Sequence, residues 1–394
     1  MNEKDLRLEA VRRRLAGENA EDIAVWLGRT TRWVRKWVAR HAEEGASDGW
    51  ADGRSRVPHT SPTRTPEHTR ALIVSARQQL EAMPHAQYGA LAIEWQLRRM
   101  GVDPLPKRWT IERTLAAEGL TKPRRRGTRY QAKGVPYPAP LDVVPGSTHQ
   151  IDLVGPRHLE GGYEFHALNV IDVGSHTAAS EILDFAVPRM CAFGLVAAWS
   201  KVGVPAVAQF DNHPRFRGGI PPASTFFGPV VAMCLDLGVT PRFVPLREPW
   251  RNGLVERFND VWDKSFFRTA RYNNPDHLRD ENRTFIEFHN DNHRYSAHRG
   301  QTPNEVMAGR ATRSLSIRYQ PPTRLPARGR IEAVRFIRSD RVVNLWGRNL
   351  LVEEHQTHQY VTAIVKVRSK QVIVVDRHGE IIIDDQFPIA RELR

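Results

Sequence analysis

The sequence predicts an α+β chain of several domains: N-terminal helix-turn-helix units, a mixed-sheet core and a small C-terminal β-barrel. Three observations lead there. Residues 1–45 and 67–120 carry apolar residues at helical spacing, punctuated by capping residues and glycines. From His149 the pattern turns to three strand-like runs in succession, then to alternating helices and strands. From Ile331 to Phe387 short strands alternate with turns, the pattern of a small barrel.

Length and charge bound the rest. A chain of 394 residues exceeds one ordinary core. Its 40% hydrophobic and 26% charged residues are ordinary for a globular protein. A net charge of +14 attracts polyanions, with nucleic acid first among them. No apolar run approaches the roughly 20 residues that span a bilayer, so no membrane partner is expected. The N-terminal MNEKDLRLEAVRRRLAG lacks the apolar segment of a secretory signal. Cys191 and Cys234 alone make neither a disulfide framework nor a cysteine-rich zinc site, which points to a reducing, cytoplasmic setting.

Taken in order, Leu6, Leu8, Val11 and Leu15 mark a first helix that Gly17 stops. Asn19 is placed to cap a second, with Ile23, Ala24 and Leu27 on its apolar face. Gly28 allows a turn, and Thr30 or Thr31 caps a third, TRWVRKWVARH. This is the layout in which the last helix enters the major groove. Arg29, Arg32, Arg35 and Lys36 lie near its start, as groove contacts require, while Trp33 and Trp37 share a face and read as core. Residues 46–66, rich in Gly, Ser, Thr and Pro, form a linker carrying Arg54 and Arg56.

Residues 67–120 read as a second helix-turn-helix or winged unit, its last helix bearing Lys107, Arg108 and Arg113 near the start. Residues 121–144 are a basic, proline-flanked linker in which Arg124, Arg125 and Arg126 can lie along phosphates. The core spans 145–310, a linker 311–330, and the barrel 331–390.

The candidate chemistry lies in acids within the core. Asp152 stands mid-strand in HQIDLVG, an expensive place for an uncompensated charge. Asp211 ends the apolar strand AVAQFD, and Glu256 sits one turn into a helix that begins near Asn252. If the first strand is central and the fourth lies beside it, Asp152 and Asp211 are neighbours and the helix brings Glu256 over them. Carboxylates converging from separate elements suit hard divalent cations, and two such ions about 4 Å apart support phosphoryl transfer. Asp172, Asp260 and Asp263 compete for the same roles by position. His149, His166 and His176 are scattered on strands and read as packed or exposed rather than ligating.

The segments around these acids resemble the core of retroviral integrases and bacterial insertion-sequence transposases, the Asp-Asp-Glu superfamily with a ribonuclease-H-like fold. The resemblance rests on Gln150-Ile151-Asp152, Phe210-Asp211-Asn212, Gly238-Val239, Pro249, Asn252-Gly253 and Val255-Glu256-Arg257-Phe258-Asn259. Tyr295, His298 and Gly300-Gln301-Thr302-Pro303 resemble the usual end of that core. It implies that Asp152, Asp211 and Glu256 form a catalytic triad holding Mg²⁺ or Mn²⁺, two ions in all. It further implies a transposase that cuts element ends and joins their 3′-hydroxyls to target DNA. Double-stranded DNA is then the partner, a homo-oligomer the working form and the bacterial nucleoid the place of action. Asn252 and Arg257 become candidates for positioning the helix or touching DNA, with helix capping the simpler role for Asn252. A catalytically silent DNA-binding regulator is the alternative. His213 stands where many members have Gly, and 45 positions separate Asp211 from Glu256, a long interval for the family.

Overall fold

The first helix, α1 (Glu3–Leu15), starts on a reciprocal cap in which Asn2 and Asp5 exchange side-chain-to-backbone hydrogen bonds. Helix α2 (Ala20–Leu27) ends at Gly28, whose φ of 62° is left-handed, and α3 (Thr31–Glu44) begins under the Thr30 hydroxyl, which accepts from Trp33 N at 3.2 Å. Asn19 precedes α2 without making a side-chain cap. Ala10, Ile23, Ala24 and Val34 fill the core between the three helices. Trp50 and Ala51, in the stretch read as linker, are buried against Val11 and Trp37.

The computed structural model describes residues 1–45, 48–54, 65–121, 134–219 and 226–393. They divide into two units, Met1–Thr65 and Pro66–Arg394. Arg56 and the basic run with Arg124, Arg125 and Arg126 lie outside the described residues.

The second unit opens with α4 (Glu67–Ala82), α5 (Ala90–Arg99) and α6 (Arg108–Ala117), packed through Ile73, Leu80, Ile93, Leu97, Ile111 and Leu115. Among the described residues no strand lies between α4 and α6. The sheet follows with β1 (Thr148–His158), β2 (Glu164–Asp172), β3 (Ala178–Leu183), α7 (Pro188–Val202) and β4 (Val207–Phe210). After these come α8 (Pro214–Arg217), α9 (Pro229–Asp236), β5 (Thr240–Phe243), α10 (Gly253–Trp262), α11 (Pro275–Asn292) and α12 (Pro303–Met307). The C-terminal strands are β6 (Arg330–Phe336), β7 (Val342–Leu345), β8 (Arg348–Leu351), β9 (Tyr360–Lys366), β10 (Gln371–Val375) and β11 (Ile381–Gln386).

Strands β1, β2 and β3 form an antiparallel meander, while β4 and β5 run parallel beside β1, giving the order β5-β4-β1-β2-β3. That mixed order is the ribonuclease-H-like arrangement. Alternation along each strand sorts side chains between two layers. Ile151, Leu168, Val170, Ala208 and Phe210 face the core that holds α7 and α9. Phe165, Ala167 and Ile171 face Val255, Phe258, Trp262 and Phe285 of α10 and α11.

The C-terminal strands correct the expectation of a closed small barrel. Strand β6 pairs in parallel with β5, through Arg242↔Glu332 and Phe243↔Ala333, and β9, β10 and β11 continue outward as one nine-stranded sheet. Among the described residues no ladder returns from β11 to β6, and β7 pairs only with β8. A partly buried ion pair from Arg242 Nε to Glu332 Oε2, 2.9 Å, fastens this junction. The exposed edge of β5 would otherwise offer unpaired backbone groups.

Candidate carboxylate site

The register of β1 against β4 pairs Thr148 with Val207 and Gln150 with Gln209. Continued at the same offset, it sets Asp152 level with Asp211. Both side chains alternate away from Ile151 and Phe210, which lie in the opposite core, and so belong to the face covered by α10.

Three amide side chains fix that helix to the strands. Gln150 Oε1 accepts from the backbone N–H groups of Leu254 and Val255, at 2.9 and 3.1 Å, satisfying first-turn donors of α10 from across the sheet. Gln209 Nε2 donates to Arg251 O at 3.0 Å and to Asn252 Oδ1 at 3.3 Å. Asn252 Nδ2 donates to Ile151 O at 3.0 Å. Asn252 stands at the N-cap position of α10 without making a side-chain capping bond, and it is only 3% exposed. Its amide is consumed in joining helix to sheet.

On α10, Glu256 and Asn259 are three residues apart and share a face. Asn259 Nδ2 donates to Asp152 Oδ2 at 2.7 Å, and its Oδ1 accepts from Asn169 Nδ2 at 2.8 Å. Asn169 is the β2 partner of Asp152 in the ladder. Burial pushes the Asp152 carboxyl up from its ordinary range, and the Asp211 charge adds to it. Burial also raises Asp211, against a backbone hydrogen bond from His213 N at 3.0 Å. Glu256 rises through burial and the Asp152 charge. Asp152 is thus the carboxylate that the other two share as neighbour.

The competing acids have other partners. Asp260 pairs with Lys264 at 2.6 Å, and Asp263 with Arg157 and Arg268 at 3.0 and 2.5 Å. Asp172 is buried and accepts from Gly146 N and Ser175 N, closing a turn. Among the described residues, no Lys or Arg forms an ion pair with Asp152, Asp211 or Glu256. Nor do any three His, Cys, Asp or Glu side chains, as placed, make a metal-holding group. The donor set still suits a hard cation in kind: carboxylate oxygens that repel one another and lack counter-charges.

Two features escape the sequence reading. Arg335 of β6 is buried and donates Nη2 to Asn212 Oδ1 at 3.0 Å, gripping the residue beside Asp211 from the C-terminal strands. His176, His289, His293, Tyr295 and His298 form a cluster, with the His289 Nε2···Tyr295 Oη separation 2.8 Å. The histidine count gave no hint of it, because His176 meets residues 289–298 only in the fold. His149 and His166 are buried, as packed residues would be.

The basic candidates are distributed as follows. Arg32, Arg35 and Lys36 are exposed on one face of α3. Arg35 pairs with Glu21 at 2.8 Å, Arg29 pairs with Glu3, and the Lys36 ammonium lies 5.4 Å from the centre of the Trp37 ring. Exposed pairs of this kind are worth at most about 1 kcal/mol, so they leave the side chains able to exchange partners. On α6, Lys107 is exposed at the cap position, Arg108 pairs with Glu94 at 3.2 Å and Arg113 stacks on the exposed Trp109. Arg257 is exposed on α10 beside Glu256.

Comparison with known proteins gives a family for part of the chain. Residues 1–50 match the homeodomain-like domain family. Among curated proteins none matches. The HTLV-2 integrase catalytic core domain in complex with magnesium is 17% identical, covering 41% of this chain and 97% of its own, with a TM-score of 0.31. The simian T-cell lymphotropic virus intasome in complex with PP2A regulatory subunit B56 gamma is 13% identical, covering 76% and 95%, with a TM-score of 0.38. The BIV integrase catalytic core is 15% identical, covering 41% and 93%, with a TM-score of 0.31. These overlays are loose, and the fold assignment stands on the strand order. Residues 1–50 are thus similar to the homeodomain-like domain family, and in sequence they precede a mixed-sheet core of order β5-β4-β1-β2-β3.

Proposed function

We propose that the chain is a DNA transposase of the integrase type, cutting element ends and joining them to target DNA. The observation that carries this reading is the set of three carboxylates on β1, just after β4 and on α10, in which the Asp152 charge couples to Asp211 and to Glu256 and none, among the described residues, is ion-paired to Lys or Arg. Asp152 with Asp211, and Asp152 with Glu256, would hold Mg²⁺ or Mn²⁺. When bound, such ions lower the barrier to in-line phosphoryl transfer by stabilising charge on the attacking and leaving oxygens.

The chain's own residues do the positioning. Asn259 fixes one Asp152 oxygen. Gln150, Gln209 and Asn252 fix the start of α10, and with it the reach of Glu256. Arg32, Arg35 and Lys36 of α3 would read the element end in the major groove, and the basic candidates of α6 and residues 124–126 would follow the phosphates. Arg257, exposed beside Glu256, would meet the DNA strand there. Joining two ends calls for a homo-oligomer. No helix among the described residues is long and apolar enough to cross a membrane; the bacterial nucleoid is the proposed place of action.

The test is strand cutting and joining with duplexes carrying the terminal repeats that flank the gene, with and without Mg²⁺. Wild type should act only with the metal, and Asp152→Asn should lose at least the 10- to 100-fold typical of groups that merely orient a ligand. Equal activity of the two proteins would refute the assignment.

A further inference from the structure

A cavity of about 290 Å³ lies between the loop after β5 and the C-terminal strands, with Arg247, Arg335, Arg338, Asp340 and Asn344 in its wall. Arg335 forms part of its floor. Its guanidinium donates to the backbone oxygens of Asn344 and Val334, at 2.9 and 2.8 Å, and to Asn212 Oδ1 at 3.0 Å. No carboxylate is among these partners. Burial lowers this group's pKa to about 10, and the nearby Arg217 charge acts in the same direction. Arg247 and Arg338 are exposed and, among the described residues, form no ion pair. Asp340 is the acid in the wall, and its Oδ1 already accepts from Val342 N at 3.1 Å.

Three guanidinium groups around one cavity, with one carboxylate to offset them, favour an anion. A buried cation without a counter-charge is costly to keep, and the planar donor fork of arginine matches phosphate oxygens. The position adds direction. Arg335, in the cavity wall, also holds Asn212, the residue that follows Asp211 in the chain.

We propose that this cavity is a phosphodiester subsite, seating one backbone phosphate of the DNA strand that runs to the carboxylates. The proposal rests on the proposed function for the strand's destination. Arg335 supplies the fixed charge and Arg247 and Arg338 close over the phosphate from the exposed rim.

The test measures binding of the full chain to a generic duplex across a salt series. A site that neutralises one phosphate contributes about 0.9 to the slope of log affinity against log salt. Arg247→Gln with Arg338→Gln, both at exposed positions, should lower that slope by about 1. Arg189→Gln, at an exposed position on α7, should leave it unchanged. An unaltered slope in the double variant, or an equal fall in the Arg189 variant, would overturn the subsite. Cutting is read separately: a wild type that shows the expected slopes but never cuts with Mg²⁺ contradicts the proposed reaction and not the subsite.

Discussion

Asn259 Nδ2 lies 2.7 Å from Asp152 Oδ2, so the helix that carries Glu256 also holds the carboxylate of the central strand. One helical turn thus controls two of the three acids. The same amide accepts from Asn169 at 2.8 Å, which fixes its orientation: oxygen toward β2, nitrogen toward β1.

Replacing Asn259 with Ala frees the Asp152 carboxylate to rotate while leaving every charge in place. The expected loss in Mg²⁺-dependent cutting is about 10- to 100-fold, with DNA affinity unchanged. Single-turnover cutting and a binding titration check this together. Asn259→Asp should be worse than Ala, since it adds a fourth negative charge where the amide had donated.

Gln150 is the second lever. Its Oε1 accepts from two first-turn N–H groups of α10, so Gln150→Ala leaves both donors in a largely buried place. Loss of a helix cap costs about 0.5 to 2 kcal/mol, and chemical denaturation should show a fall in that range. Hydrogen exchange at Leu254 and Val255 should rise more than at Phe258, one turn further on. A uniform rise along α10 would mean that Gln150 supports the core generally and not the start of the helix.

Much of this site was legible in the sequence, and the limits have physical causes. Asp152 and Asp211 could be paired because alternation is a local pattern, and a central first strand with the fourth beside it then sets the two acids side by side. The amide mesh could not, because Gln150, Gln209 and Asn252 are ordinary polar residues until distant segments meet. The C-terminal strands were visible as strands, yet their period says nothing about which edge they join. Arg242 and Glu332 form the ion pair at that edge from positions far apart in the chain, and this is why a separate barrel was expected where β6 extends the sheet. The Gly- and Ser-rich surroundings of Trp50 read as linker, whereas its indole is buried against α1 and α3.

Acid should weaken the second unit through its histidine cluster. Burial holds His176 and His289 at about 4, below the 6.5 of an exposed histidine. Their neighbours are His293, His298, Tyr295, Arg257 and Asp172. Between pH 6.5 and about 4 the unfolded chain binds more protons than the folded one, so stability falls as pH falls through that window. The expected loss is on the order of a few kcal/mol. Asp152, Asp211 and Glu256, whose carboxyls burial raises, act in the opposite sense. Denaturation midpoints between pH 7.5 and 4.5 check the balance, and His289→Gln should flatten the slope. A variant as pH-dependent as wild type would remove His289 from the explanation.

The central claim is that Asp152, Asp211 and Glu256 are crowded carboxylates that a divalent ion relieves. A ligand that binds the folded state alone raises its stability by mass action, so the most direct measurement is thermal melting of the full chain with and without Mg²⁺. Wild type should melt higher with the ion. Asp152→Asn, relieved of one buried charge, should melt above metal-free wild type and respond little to Mg²⁺. Equal Mg²⁺ shifts in the two proteins, or a metal-free Asp152→Asn that melts below wild type, would contradict the account of this site.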